Sequence, residues 1–107
     1  MWQQLAQLET VYEYSGDVLI LTCLYQHEPL LFSELARLMQ DESGMYRADA
    51  VLTKNMPRLR ETGFVSKDES DPNHPVYRLT DRGRRAANVL SYVADQLRHR
   101  YGDALSL

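Results

Sequence analysis

The chain of 107 residues has a single cysteine, Cys23, so no disulfide can close within it, as suits a reducing compartment. Long apolar runs are missing too. Val18-Leu19-Ile20-Leu21 is the longest aliphatic stretch, far short of the roughly 20 residues that cross a bilayer, so no membrane partner is expected. The start, Met1-Trp2-Gln3-Gln4, lacks the basic and apolar regions of a secretory signal, and the expected location is cytoplasmic. His27, His74 and His99 are the only histidines, far apart and without ligand spacing to Cys23, which argues against a transition metal. No Gly-rich phosphate loop, nucleophile elbow or HExxH element occurs, so neither a cofactor nor an enzyme is expected. The adjacent acids Asp41-Glu42 and Asp68-Glu69 fall in loops, where such pairs usually solvate turns. Repeats and low-complexity segments are absent as well.

What is present suits one ordinary globular domain over 1–107: 44% hydrophobic residues, 25% charged, and a net charge of −3. An acidic total argues at first against a nucleic-acid partner. Its distribution reverses the argument. Residues 1–43 carry Arg37 alone against seven acids and sum to −6. Residues 44–85 hold nine basic side chains against six acids, +3, and residues 86–107 balance at zero.

Hydrophobic spacing divides the chain into elements. Trp2, Leu5, Leu8 and Tyr12 form one face of a first helix, which Gly16 interrupts. Asp17 then N-caps a short buried helix over 17–26, ended before Pro29. A third helix covers 33–40, with Leu35, Leu38 and Met39 inward, and Asp41-Glu42-Ser43-Gly44 reads as a turn. A fourth runs over 48–62, with Leu52, Met56 and Leu59 on one stripe and Gly63 as its C′ residue. Pro57 lies inside it and predicts a kink; alternatively Asn55 caps a shorter helix beginning near Met56. Strands at 64–67 and 76–79 flank a polar loop and make a hairpin. Thr80 caps a last helix to about residue 101, whose apolar stripe includes Ala86, Val89, Leu90, Val93, Leu97 and Tyr101.

Three helices followed by a hairpin is the element order of a winged helix-turn-helix, in which the third core helix is offered to the DNA major groove. The fold class is therefore mainly α with a small β-hairpin. With its apolar stripe turned inward, helix 48–62 presents Arg47, Ala50, Thr53, Lys54, Pro57 and Arg58 outward. Lys54 and Arg58 suit phosphates, Arg47 or Lys54 a guanine, and Thr53 a base or a thymine methyl. An ordinary solvated helix face would show the same spacing. Lys67, His74 and Arg78 suit phosphate or minor-groove contacts at the wing, but Asp68, Glu69 and Asp71 beside them repel a phosphate backbone.

Three segments resemble the HxlR-type regulators, and more loosely the MarR-like and PadR-like winged helices. They are Gly16-Asp17-Val18-Leu19-Ile20-Leu21 with Phe32-Ser33-Glu34-Leu35; Leu52-Thr53, Met56, Leu59 and Gly63-Phe64-Val65; and Tyr77-Arg78-Leu79-Thr80-Asp81-Arg82-Gly83. The resemblance implies a homodimeric transcription regulator that binds double-stranded DNA, with helix 48–62 as reader and 16–80 as core and wing. It also implies that the terminal helices, 1–15 and 81–107, pair across a two-fold axis. The stripes Trp2/Leu5/Leu8/Tyr12 and Val89/Val93/Leu97/Tyr101 would form that interface; packing on their own domain is the plainer alternative. The chain departs from the family pattern in a longer turn over 41–47, in Ala48 where a serine is usual, in Pro57, and in Cys23, which reads as an inert core residue.

A competing function is a winged helix that binds protein, or mimics DNA toward a basic partner, through the acidic first 43 residues and acidic wing. A small-molecule sensor with Tyr12, Tyr14, Tyr92 and Tyr101 lining a cleft is a third, although aromatic packing at a dimer interface accounts for the same residues. No effector is indicated.

Overall fold

The computed structural model describes residues 16–105, with side chains over 16–100. The stripe Trp2, Leu5, Leu8 and Tyr12, together with Tyr14 and the side chain of Tyr101, lies outside the described residues. Residues 16–27 are helical, α1. Then come β1 (Leu30–Leu31), α2 (Phe32–Ser43), α3 (Ala48–Glu61), β2 (Val65–Asp68), β3 (Val76–Leu79) and α4 (Asp81–Leu105). This is a mainly helical winged helix-turn-helix with a small antiparallel sheet.

The apolar spacings translate directly into one core. Ile20 and Leu24 on α1, Leu35 and Met39 on α2, and Leu52 on α3 are fully buried. Met56, Leu59, Val65, Tyr77, Leu79 and Ala87 belong to the same cluster. The interruption expected before Gly16 lies outside the described residues; within them Gly16 is a point of contact. A Cβ there would stand 2.5 Å from Asn55 Nδ2 and 2.8 Å from Val51 Cγ1, so any larger residue would have to displace these side chains for α1 to lie this close to α3. Asp17 accordingly sits within the helix, its carboxylate facing α3 and not capping α1.

The sheet has three strands in the order β1-β3-β2, not the two of a simple hairpin. β1 pairs Leu30 with Tyr77 and Leu31 with Val76; β2 pairs Val65 with Leu79 through Asp68 with Val76. Two residues are too few to show a period of two, which is why β1 escapes a reading by pattern. α2 runs three residues past the expected end at 40, and Gly44 closes it in the left-handed region (φ 69°), its N–H donating to the Gln40 carbonyl at 2.8 Å.

α3 is continuous through Pro57. Leu52 before the proline and Met56 and Leu59 around it are buried together, which holds the helix in one piece. The Thr53 carbonyl, which loses its donor to the proline ring, lies on the exposed side. At the other end Gly63 N–H donates to Arg60 O and Phe64 N–H to Leu59 O, the paired bonds of a Schellman motif, with Gly63 at φ 84°.

Thr80 caps α4 as its position predicts. Its hydroxyl accepts from Gly83 N–H (3.0 Å) and donates to the Gly63 carbonyl (2.6 Å), while its own N–H reaches Phe64 O (3.1 Å). Arg82 stacks 4.5 Å over the Phe64 ring and donates to the Thr62 carbonyl. One junction thus joins the end of α3, the start of β2 and the start of α4.

Candidate nucleic-acid interface

The loop between α2 and α3 is only Gly44–Arg47, because α2 absorbs residues 41–43. Arg47 takes a left-handed conformation (φ 57°, ψ 48°) costing about 1 kcal/mol in a residue with a Cβ. Its carbonyl starts α3 by accepting from Ala50 and Val51 N–H, and its side chain is left exposed. One turn on, Ala50 and Lys54 lie on the same side as Arg47 by the 100° step, with Thr53 and Pro57 alongside; all five are exposed. The small Ala50 leaves space between the two cations. Thr53 donates its hydroxyl to the Asp49 carbonyl at 2.9 Å and keeps its oxygen as an acceptor. Asp49 is the one carboxylate at this end of the helix. Tyr46, next to Arg47 in the loop, is 84% exposed; a lone aromatic in a turn gives spacing no pattern to find.

Arg58 differs. It stands at the border between the exposed face and the α1 contact, where its Nη2 lies 2.6 Å from Asp17 Oδ2.

The wing pairs its own basic side chains with its acids. Lys67 pairs with Glu69 at 3.1 Å, His74 Nδ1 lies 3.1 Å from Asp71, and Arg78 Nε lies 3.8 Å from Asp68. Asp68 also accepts from the Ser70 hydroxyl (2.6 Å) and its N–H (2.9 Å). Those bonds, the hydroxyl's first, hold its carboxyl below the usual carboxylate range, and the Arg78 charge adds to the effect. The sign follows from linkage. A depressed value favours the ordered loop above the unfolded carboxyl's midpoint, and the preference fades as pH falls through the folded one. Ser70→Ala is therefore expected to raise the Asp68 midpoint in a carboxylate-carbon NMR titration; an unmoved midpoint would mean that the hydroxyl does not bind it.

Cys23 is buried, and burial pushes its thiol up to about 11, the nearby Glu42 charge adding to the rise. It stays protonated at neutral pH, the state of an inert core residue. Among the described residues no group of three or more His, Cys, Asp or Glu side chains could hold a metal ion, and no helix is long and apolar enough to cross a membrane. Val89, Val93 and Leu97 are exposed on α4, with Tyr92 beside them.

No family model and no curated protein matches the chain. Among solved structures, it is similar to the crystal structure of a MarR family transcriptional regulator from Silicibacter pomeroyi DSS-3, with a TM-score of 0.67 and 24% identity. The match covers 94% of this chain and 71% of that one. At that identity the likeness speaks for the fold and not for the HxlR type in particular: the chain folds as a winged helix-turn-helix similar to that of a MarR-family regulator.

Proposed function

We propose that the protein is a sequence-specific regulator of transcription that binds double-stranded DNA as a homodimer, with α3 in the major groove. The observation that carries this reading is the exposed face of α3, where Arg47 and Lys54 flank Ala50 next to Thr53, on a fold that offers this helix outward. Lys54 and Arg47 supply phosphate or guanine contacts, and Thr53 accepts from or packs on a base. Lys67, His74 and Arg78 are secondary contacts, since each reaches DNA only by exchanging an acid of the wing for a phosphate. Residues 16–80 are core and wing. The exposed stripe of α4 over Val89, Val93 and Leu97 supports pairing of 81–107, together with 1–15, across a two-fold axis. On this reading the protein is not an enzyme, it acts in the cytoplasm, and the three sequence segments ally it with the HxlR type.

Selection from a random duplex pool tests the proposal: a palindromic enriched site supports both DNA binding and the dimer. For the wild type, affinity should fall steeply with salt, and Lys54→Ala should flatten the plot of log affinity against log salt by about 0.9, one phosphate's worth. The self-paired, acidic wing favours one alternative, a module that binds a basic protein. Absence of duplex binding at low salt, with a protein partner co-purifying, would decide for it.

A further inference from the structure

Among the described residues Tyr46 is the most exposed of the large apolar side chains, at 84%, and it stands in the turn that leads into α3. We propose, resting on the DNA-binding reading above, that Tyr46 is a further DNA-binding residue, and an uncharged one. Its ring packs on a deoxyribose, and its hydroxyl donates to the neighbouring phosphate.

Three observations carry this. The first is placement: Tyr46 adjoins Arg47, at the same end of α3 as Ala50 and the cationic face. The second is that the backbone on both sides of it is tied down. Gly44 N–H donates to the Gln40 carbonyl, Met45 N–H donates to the Ser43 hydroxyl at 3.2 Å, and the Arg47 carbonyl accepts from Ala50 and Val51 N–H. Met45 packs against the core, so the turn buries one side chain and leaves the next in solvent. A tyrosine presented in this way has only its two side-chain torsions to fix on binding, which keeps the entropic cost of a contact low. The third is the left-handed Arg47, at φ 57°. Glycine would make that turn without strain, yet the position carries a long cationic side chain, and such strain clusters at sites that hold a ligand.

Chemistry chooses the surface that Tyr46 meets. A phenol offers an apolar face and one O–H donor. Along duplex DNA that combination is matched by a sugar beside a phosphate oxygen, whereas the base edges fall to Ala50 and Thr53, farther into α3. Because the side chain is neutral it releases no counterion, which separates its contribution from those of Arg47 and Lys54.

Duplex affinity of Tyr46→Ala, measured across a salt series on the selected site and on an unrelated sequence, tests this. The variant should bind both duplexes about tenfold more weakly than the wild type, with the salt slope unchanged. Tyr46→Phe keeps the ring and loses the hydroxyl, and should bind between the two; equality with the wild type overturns the phosphate bond. Urea midpoints of all three proteins should agree, since a side chain this exposed supports no core, and a lowered midpoint would make the tyrosine structural instead. The proposal is also overturned if Tyr46→Ala binds as the wild type does, if its loss is confined to the selected site, or if its slope flattens as that of Lys54→Ala does. An unaffected Tyr46→Ala beside a wild type that binds DNA defeats this proposal alone. A wild type that binds no duplex at low salt defeats the DNA reading, and the role of Tyr46 with it.

Discussion

Gly83→Ala is expected to lower the unfolding free energy by about 4 kcal/mol, close to the whole stability of a domain this size. A Cβ at this position would stand 1.9 Å from the Phe64 carbonyl oxygen and 3.2 Å from Leu79 Cδ2. The first obstacle is backbone and cannot rotate away. That same oxygen accepts the Thr80 N–H, while the Thr80 hydroxyl bridges Gly63 O and Gly83 N–H. Backing α4 off to admit a methyl therefore pulls on three hydrogen bonds at once, each worth about 1 kcal/mol, besides opening a gap beside Leu79. Thermal unfolding should show a fall in Tm of about 20 °C, or no cooperative transition at all. Gly44→Ala is the contrasting case. Gly44 has open space around it and a φ of 69°, so alanine there costs only its backbone preference, about 1 kcal/mol. If the two variants melt together, the close crossing at Gly83 is not what holds α4.

Glu28→Ala should cost about 2–3 kcal/mol. Extending the pairing of β1 with β3 places Glu28 opposite Leu79, but Pro29 precedes β1 and the ladder stops. The Glu28 carboxylate substitutes for the missing strand: Oε2 accepts the Leu79 N–H at 3.0 Å, and Oε1 binds Arg84 at the start of α4. The glutamate side chain is 18% exposed and Arg84 50%, so the ion pair is partly screened and the backbone bond carries most of the effect. Alanine leaves the N–H of a buried strand residue without that acceptor, worth about 1–3 kcal/mol, and adds the lost ion pair. Glu28→Gln keeps an acceptor for Leu79 and should cost about 1 kcal/mol. Urea midpoints separate the two variants; equal losses would show that the Leu79 bond contributes nothing.

The parts of the fold legible in the sequence are those with a local cause. The apolar stripes of α2 and α3 are there to be read, as are Gly63 at the end of α3 and Thr80 at the start of α4, because helix period and capping act over a few residues. The cationic face of α3 is legible for the same reason. β1 is not, since a two-residue strand exists only through its partner. The packing role of Gly16 is not legible either, because a glycine that makes room for a neighbouring helix looks like any other in sequence. The ion pairs are the least legible. Asp17 and Arg58 are 41 residues apart, and Glu28 and Arg84 are 56 apart. Only the packed core decides that they meet. The cost to the candidate site is specific: a count of basic residues assigns Arg58 to DNA, whereas the fold gives it an internal partner.

α4 leaves its junction as an uninterrupted helix of 25 residues, about 37 Å long. It is riveted at one end by Thr80, Arg82 and Gly83 to the residues that finish α3. Such a rod is a lever whose short arm is α3. A tilt of about 5° at the Phe64 carbonyl carries the far end of α4 through about 3 Å. The converse holds for a pair of chains joined along their α4 stripes. The angle at which the two rods cross would fix the distance between the two α3 helices and, on the proposed DNA-binding role, the spacing of half-sites that the pair can span.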